Sequence, residues 1–369
     1  MPSVAIIGTR GYPSFYGGFE TAVRRLSPFL VDHGWDVTVY GRPGAVRDDS
    51  ADRDPRVRSV TTRGVESKSL STLSYGLTAT MDAVVRRKPD VALVMNVANG
   101  FFLPMMKARG IPTLVNVDGI EWDRDKWGRV AKTMFLTGAR LTARFGTNLV
   151  FDARAIEHRW KQQFGRDGVF IPYGGTDPGP LEVPLGLPSR GYALIVARFV
   201  PENSVPEFLR AARQIALKHP VVIVGSSGYG GQLDEEAEQL AASSPNVRWL
   251  GHLSDDALLF ALLQHAGAYF HGHSVGGTNP ALVQAMACGA PIVARDTVYN
   301  REVVGPSGTF VPPAPEAIAA GVIAMMESPE RQEEATASAL SRSEEFYTWQ
   351  AVCSSYERAL RELLDAPAL

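Results

Sequence analysis

Three stretches of this 369-residue chain combine glycines with side chains that can hold an anion or move a proton. The densest runs His271-Gly272-His273-Ser274-Val275-Gly276-Gly277-Thr278-Asn279-Pro280 into an apolar helical pattern ending at Cys288 and Gly289. Glycines leading into a helix start present backbone N–H groups, and that helix end favours negative charge. Asn279 before Pro280 is helix-start chemistry: a capping side chain, then a residue whose missing N–H costs nothing there. Gly277, Thr278 and Asn279 are therefore candidate anion-binding residues. His271 and His273 alternate on a strand end. No third metal ligand stands near them, so hydrogen-bonding roles fit better, with His273 the candidate for chemistry.

The second stretch is Asn116-Val117-Asp118-Gly119-Ile120-Glu121-Trp122-Asp123-Arg124-Asp125-Lys126-Trp127, directly after an apolar run. A carboxylate just past a parallel strand points into a cleft. Asp118 and Glu121 could orient or deprotonate a hydroxyl, and Trp122 and Trp127 could stack on a sugar face, with Lys126 beside them. The plainer alternative is a loop of capping carboxylates and core tryptophans. The density of charge and indole in so short a segment favours function. The third stretch, Gly8-Thr9-Arg10-Gly11 and then Tyr16-Gly17-Gly18-Phe19-Glu20, joins a strand to a helix. It lacks the tight G-x-G-x-x-G register, which speaks against a nicotinamide dinucleotide. Arg198, at the end of another apolar run, is placed to hold a diphosphate with its planar guanidinium. Glu302 follows a later strand.

Positioning these groups requires alternating strands and helices. Short apolar runs at Val4–Ile7, Asp36–Tyr40, Val91–Met95, Thr113–Val117 and Asn148–Phe151 read as strands. Helical patterns at Gly18–His33, Leu73–Arg87, Arg129–Phe145 and Arg154–Phe164 lie between them, the signature of βαβ units. A turn-rich break, Tyr173–Pro180, follows. The alternation restarts with strands at Ala193–Ala197, Val221–Val224, Val247–Leu250, Ala268–His271 and Pro291–Ala294. Helices fall at Val205–His219, Asp255–Gln264 and Asn279–Cys288. We expect an α/β protein of two facing doubly wound, Rossmann-like domains, residues 1–180 and 186–342, with ligands in the cleft between them. A last helix near Ser343–Leu364, within residues 343–369, is expected to cross back to the first domain.

The formal net charge of −2 conceals an asymmetry: residues 1–180 hold 25 Lys/Arg and 18 Asp/Glu, and residues 181–369 hold 12 and 21. A basic half suggests an anionic partner. Scattered basic residues without a recognition motif argue against nucleic acid. Within the basic half, Arg129, Lys132, Arg140 and Arg144 share one helix with Val130, Met134, Leu141 and Phe145. That helix reads either as a dock for an anionic membrane or phosphate-bearing lipid, or as an ordinary surface helix. The opening Met1-Pro2-Ser3 runs straight into an apolar strand, so no cleaved leader is expected, and no stretch is long enough to span a bilayer. Two cysteines, Cys288 and Cys353, exclude a disulfide scaffold and suit reduced thiols in the cytoplasm.

Together these segments resemble the family 4 retaining glycosyltransferases of the GT-B architecture. Asn279–Gly289 continuing into Pro291–Asp296 is similar to that family's donor-site helix, and Arg198–Glu202 to its phosphate-binding entry. The Gly8–Pro13, Tyr16–Glu20 and Asn116–Trp127 segments look like a subgroup that includes bacterial capsule rhamnosyltransferases. Where most members carry two glutamates eight positions apart, this chain has Gly276 and Gln284; the usual lysine is Asn203; the usual first-domain histidine gives way to the Asp118 region.

The resemblance implies a retaining transfer of a sugar, rhamnose from dTDP-rhamnose, to a glycan or polyprenyl-diphosphate-linked acceptor in surface-polysaccharide biosynthesis, with no metal or other cofactor. It places the donor at Gly17, Gly18, Arg198, Asn203, Gly277, Thr278, Asn279, Gln284 and Glu302. Asp118, Glu121 and His273 would carry the chemistry, and Glu20, Trp122 and Lys126 the acceptor. The protein would work in the cytoplasm or at the inner membrane face. Two other readings stand beside it: a non-catalytic nucleotide- or glycan-binding protein, and a sugar-nucleotide epimerase.

Overall fold

The computed structural model describes residues 1–15, 17–46, 52–66, 71–124 and 127–365, and all counts refer to these. The chain forms two compact units: Met1–Tyr173 joined by the C-terminal helix, and Gly174–Thr348. Each is a fully parallel sheet with helices on its faces, the arrangement that alternating strands and helices require.

The first unit contains β1 (Ser3–Ile7), α1 (Gly18–Asp32), β2 (Asp36–Gly41), β3 (Arg58–Thr61), α2 (Ser71–Asp82), β4 (Val91–Met95), α3 (Leu103–Ala108), β5 (Thr113–Asn116), α4 (Arg129–Phe145), β6 (Asn148–Phe151), α5 (Arg154–Phe164) and β7 (Val169–Phe170). The sheet order is β3-β2-β1-β4-β5-β6-β7. The central strands are buried on both faces, which is why they read as unbroken apolar runs. The edge strands β3 and β7 carry no such run and gave no sequence signal; β3 is partly exposed along its length. The segment Leu73–Arg87, expected as one helix, is α-helical only to Asp82. It then widens into a π turn, Ala83–Arg87, and ends at Lys88 with φ 49° before Pro89.

The second unit contains β8 (Ala193–Val196), α6 (Val205–Ile215), β9 (Val221–Val224), α7 (Gln232–Ser243), β10 (Val247–Trp249), α8 (Asp256–Gln264), β11 (Ala268–His271), α9 (Pro280–Ala287), β12 (Ile292–Arg295), α10 (Val298–Val304), β13 (Thr309–Val311), α11 (Pro315–Met326) and α12 (Pro329–Phe346). Its sheet order is β10-β9-β8-β11-β12-β13. Phe208, Leu209, Ala212 and Ile215 of α6 form one buried stripe, packed with Val322 and Met325 of α11 over Ala193, Ile195 and Phe270.

The single helix expected over Ser343–Leu364 is two. Helix α12 ends at Phe346, and α13 (Trp349–Asp365) starts afresh after Tyr347-Thr348. Helix α13 joins the first unit's core, where Val352, Tyr356, Leu360 and Leu363 pack with Leu26, Leu30 and Trp35. In both sheets the chain reverses winding direction at a definite place. In the first, β1 lies between β2 and β4; in the second, β8 lies between β9 and β11. The crevice at the carboxyl ends of such strands is where open α/β sheets bind ligands.

Candidate functional sites at the two switch points

In the second unit, the carboxyl ends of the neighbouring strands β8, β11 and β12 bring together Arg198, Asn203, Ser204, His273 and Arg295. Asn203 ties the cluster together. Its Nδ2 donates to the Arg198 carbonyl oxygen at 2.8 Å, so its Oδ1 faces His273 Nδ1, 2.6 Å away. An amide oxygen only accepts, so His273 Nδ1 is the donor in this bond.

Ser204, fully buried with φ 52°, starts α6; its Oγ donates to the Gly272 carbonyl at 2.8 Å and accepts from Arg295 Nη1 at 2.9 Å. A side chain at position 272 would collide with the Asn203 carbonyl oxygen, which accounts for the glycine. Asn300, also buried, locks the far side: its Nδ2 donates to the carbonyls of His273 at 2.9 Å and Arg295 at 2.8 Å.

The electrostatics favour an anion. Arg198 is exposed, and neither it nor Arg295 has a carboxylate partner among the described residues. The adjacent Asp296 is taken by Arg301 at 2.6 and 2.9 Å. Arg295 Nε is buried without a hydrogen bond. Helix α9 begins beside this cluster after Gly276 and Gly277, with Thr278 buried and Asn279 Oδ1 accepting from the Ala281 amide at 2.9 Å. His271 lies beneath, with Nδ1 3.1 Å from the Tyr269 hydroxyl; burial lowers its pKa to about 3, so it is neutral. Glu302 sits in α10, whose last carbonyls, Glu302 and Val303, are capped by Arg342 at 2.7 and 2.6 Å.

Gln284, expected at the donor, is hydrogen-bonded to the backbone instead. Its Oε1 accepts from the Thr176 amide at 2.9 Å and its Nε2 donates to the Thr176 carbonyl at 2.8 Å. Both ends of the carboxamide are spent on the backbone of one residue, so the side chain fastens the segment that enters the second unit.

In the first unit, the ends of β4, β5 and β6 carry Asn96, Asp118 and Asp152. Asn96 and Asp118 both hold left-handed backbone angles, φ 71° and 62°, and Asn96 Nδ2 donates to Asp118 Oδ2 at 2.9 Å. Asn116 Oδ1 accepts the Asp118 amide at 2.9 Å, and Asn116 Nδ2 reaches the Tyr356 hydroxyl of α13 at 2.7 Å. Asn96 therefore holds the Asp118 carboxylate and Asn116 its backbone amide. Tyr173, buried beside them, has its pKa raised, first by burial and then by the charges of Asp118 and Asp152. Glu20, in the first turn of α1, is buried and accepts the Arg10 amide at 3.1 Å, bracing the Gly8–Gly11 turn. Gly17 caps α1 in an extended conformation and Gly18 begins it. A side chain at Gly8 would collide with the Met95 carbonyl oxygen, so β1 and β4 meet there backbone to backbone.

Two expectations in this unit give way to packing. Glu121 is buried and structural: Oε2 accepts from Trp127 Nε1 at 2.7 Å and Oε1 pairs with Arg124 at 2.7 Å. Trp122 is 7% exposed and meets Trp160 and Phe164 edge-on, centroids 6.2 and 5.8 Å away, so its ring is core and offers no stacking platform. Lys126 lies outside the described residues. Sequence reasoning passed over Arg295, Asn300, Asn96, Asp152 and Tyr173. Arg295, Asn96 and Asp152 each stand at the end of an apolar strand run or just past it. The signal that singled out Arg198 and Asp118 was available for them too.

Known proteins bear on this arrangement. The glycosyl transferase 4-like domain model matches residues 17–174, and the glycosyl transferases group 1 model matches residues 185–342. The chain is a GT-B-fold relative of the glycosyl transferase 4-like family. This GT-B chain is 26% identical over 189 residues to O-antigen chain mannosyltransferase B of Escherichia coli, covering 49% of this chain and 48% of that protein. It thus spans about half the length of the curated relative it matches. Sucrose-phosphate synthase from Thermosynechococcus elongatus superposes over all of both chains with a TM-score of 0.84 at 18% identity. HepE of Anabaena, solved with UDP, superposes over 98% of this chain and all of its own with a TM-score of 0.76 at 15% identity. Among the described residues of the GT-B chain, no group of three or more His, Cys, Asp or Glu side chains is placed to hold a metal ion, and no helix is long and apolar enough to cross a membrane.

Proposed function

We propose that the protein is a nucleotide-sugar glycosyltransferase. One observation carries this reading: two guanidinium groups, Arg198 and Arg295, with no carboxylate partner among the described residues, stand beside a helix start at the second unit's switch point. Such a place suits a diphosphate, whose charge grows as the bond to the sugar breaks. HepE, of the same fold, was solved with UDP and with UDP-glucose.

Arg198, Arg295 and the start of α9 (Gly277, Thr278, Asn279) neutralise the leaving diphosphate, and Asn203 fixes the orientation of the His273 ring beside them. In the first unit Asp118, held by Asn96 and Asn116, orients the acceptor. The acceptor oxygen bonds to the anomeric carbon on the face the diphosphate leaves, and its proton passes to the departing phosphate oxygen, so configuration is retained. No protein nucleophile is needed. Resemblance of the Gly8–Glu20 and Asn116–Trp127 segments to the rhamnosyltransferase subgroup supports dTDP-rhamnose as donor. The basic first half supports a polyprenyl-diphosphate-linked glycan as acceptor at the inner membrane face, with the exposed Arg129, Arg140 and Arg144 of α4 turned to the lipid.

The test is a thermal-shift panel of dTDP, UDP, GDP and ADP and their sugars, followed by transfer of labelled sugar to lipid-linked acceptor. One diphosphate should raise the melting temperature selectively, its sugar should raise it further, and Arg198→Ala should abolish both shifts. Selective donor binding without transfer to any acceptor would leave a non-catalytic binding protein. Turnover of the donor sugar without acceptor would mean an epimerase.

A further inference from the structure

Along the outward side of α2 and the first residues of the π turn that continues it, as far as Val85, no exposed position is polar. From Ser71 to Val85 the exposed positions are Leu77, Met81 and Val85, one helical turn apart and 39, 48 and 54% exposed. A surface helix ordinarily puts its charged residues there. Here the polar groups turn elsewhere: Thr80 is buried, and Asp82 accepts from the Tyr40 hydroxyl at 2.9 Å. Val65, 58% exposed, extends the ridge, since its amide donates to Ser74 Oγ of α2 at 2.9 Å.

Directly after the ridge come Arg86, Arg87 and Lys88, all exposed. Asp82 lies 3.5 Å from Arg86 and 3.8 Å from Arg87, so one carboxylate is shared between two of three cations.

We infer that this ridge is a membrane-docking edge, with Leu77, Met81 and Val85 entering the interface of an anionic bilayer and the Arg86–Lys88 triad resting on its headgroups. The match is one of chemistry: a narrow apolar ridge with a basic flank is what an anionic lipid surface takes up. A second copy of the chain fits worse. Three side chains along one helix make a ridge that is small beside the roughly 800 Å² per partner that a stable interface buries. The inference goes beyond the transferase reading and uses none of its donor residues. Its test contains neither donor nor acceptor, so either idea can fail alone.

The experiment uses the full chain sedimented with vesicles of phosphatidylcholine alone, or of phosphatidylcholine with phosphatidylglycerol. Binding should require the anionic lipid and weaken with salt. The triple variant Leu77→Gln/Met81→Gln/Val85→Gln, changed only at exposed positions, should melt as the parent does yet lose on the order of tenfold in partitioning. Arg86→Gln/Arg87→Gln/Lys88→Gln should lose a comparable amount. Met81→Cys, labelled with an environment-sensitive dye, should shift to the blue on anionic vesicles; both native cysteines are buried and spare the labelling. Undiminished binding of the triple variant, or a dye unmoved in vesicle-bound protein, would overturn the proposal. A concentration-dependent dimer that the triple variant abolishes would reassign the ridge to a second copy.

Discussion

Restoring the family's glutamate at position 284 should weaken this protein. In the structure Gln284 clamps the backbone of Thr176, accepting from its N at 2.9 Å and donating to its O at 2.8 Å. Gln284→Glu keeps the first bond and loses the second. Where an N–H met the carbonyl, a carboxylate oxygen would now face it, two acceptors at hydrogen-bond distance. One lost bond plus one unsatisfied, partly buried acceptor costs about 1–3 kcal/mol. Gln284→Ala removes both bonds and frees Thr176 to find water, costing about 2 kcal/mol. For a unit of this size each kcal/mol lowers the melting temperature by about 2–4 °C, so both variants should fall by several degrees in calorimetry. Donor affinity should not rise in Gln284→Glu, because the side chain is engaged with the backbone. A Gln284→Glu protein as stable as the parent, binding donor more tightly, would refute this account and return position 284 to the ligand.

Arg295→Gln should weaken nucleoside diphosphate binding about tenfold, the worth of one charge-assisted hydrogen bond, and Arg295→Lys should recover part of it; titration calorimetry reads both. Asn96→Ala should lower kcat by about tenfold while leaving the donor KM unchanged, since it frees Asp118 without touching the second unit; initial-rate kinetics would show the split. His271 has a pKa depressed to about 3 by burial, so the unfolded chain binds a proton that the folded chain refuses between about pH 6.5 and 3. Its contribution is intact above that window and falls with acid by about 1.4 kcal/mol per pH unit; denaturant melts at pH 7, 6 and 5 should show a shallower slope for His271→Gln. Trp122→Ala should cost about 3–5 kcal/mol of stability, as expected of a core indole.

Much of the fold was legible because burial writes itself into composition. The central strands Val91–Met95 and Ala268–His271 are covered on both faces, and only apolar runs survive there. The same logic hid β3 and β7, whose exposed edges tolerate any composition. It also concealed the break between α12 and α13, where two amphipathic patterns meet at Tyr347-Thr348 with no glycine or proline between them.

For the sites, residue order was enough to say which chemical groups stand just past the strands: Arg198, Asp118, His273 and the glycines ahead of Asn279. Covalent order alone puts them at the carboxyl ends of a parallel sheet. Which candidate groups are already spent depends on long-range packing. Gln284 and Glu121 have the right functional groups, yet each is saturated by a partner, Thr176 for one and Trp127 with Arg124 for the other. Arg295 reaches Ser204, 91 residues away, because β12 and β8 flank the same strand, β11. Asn116 holds Asp118 by leaning on Tyr356, 240 residues along the chain. A side chain's type fixes what it can donate or accept; whether that capacity is left for a ligand depends on neighbours that long-range strand order and helix docking supply.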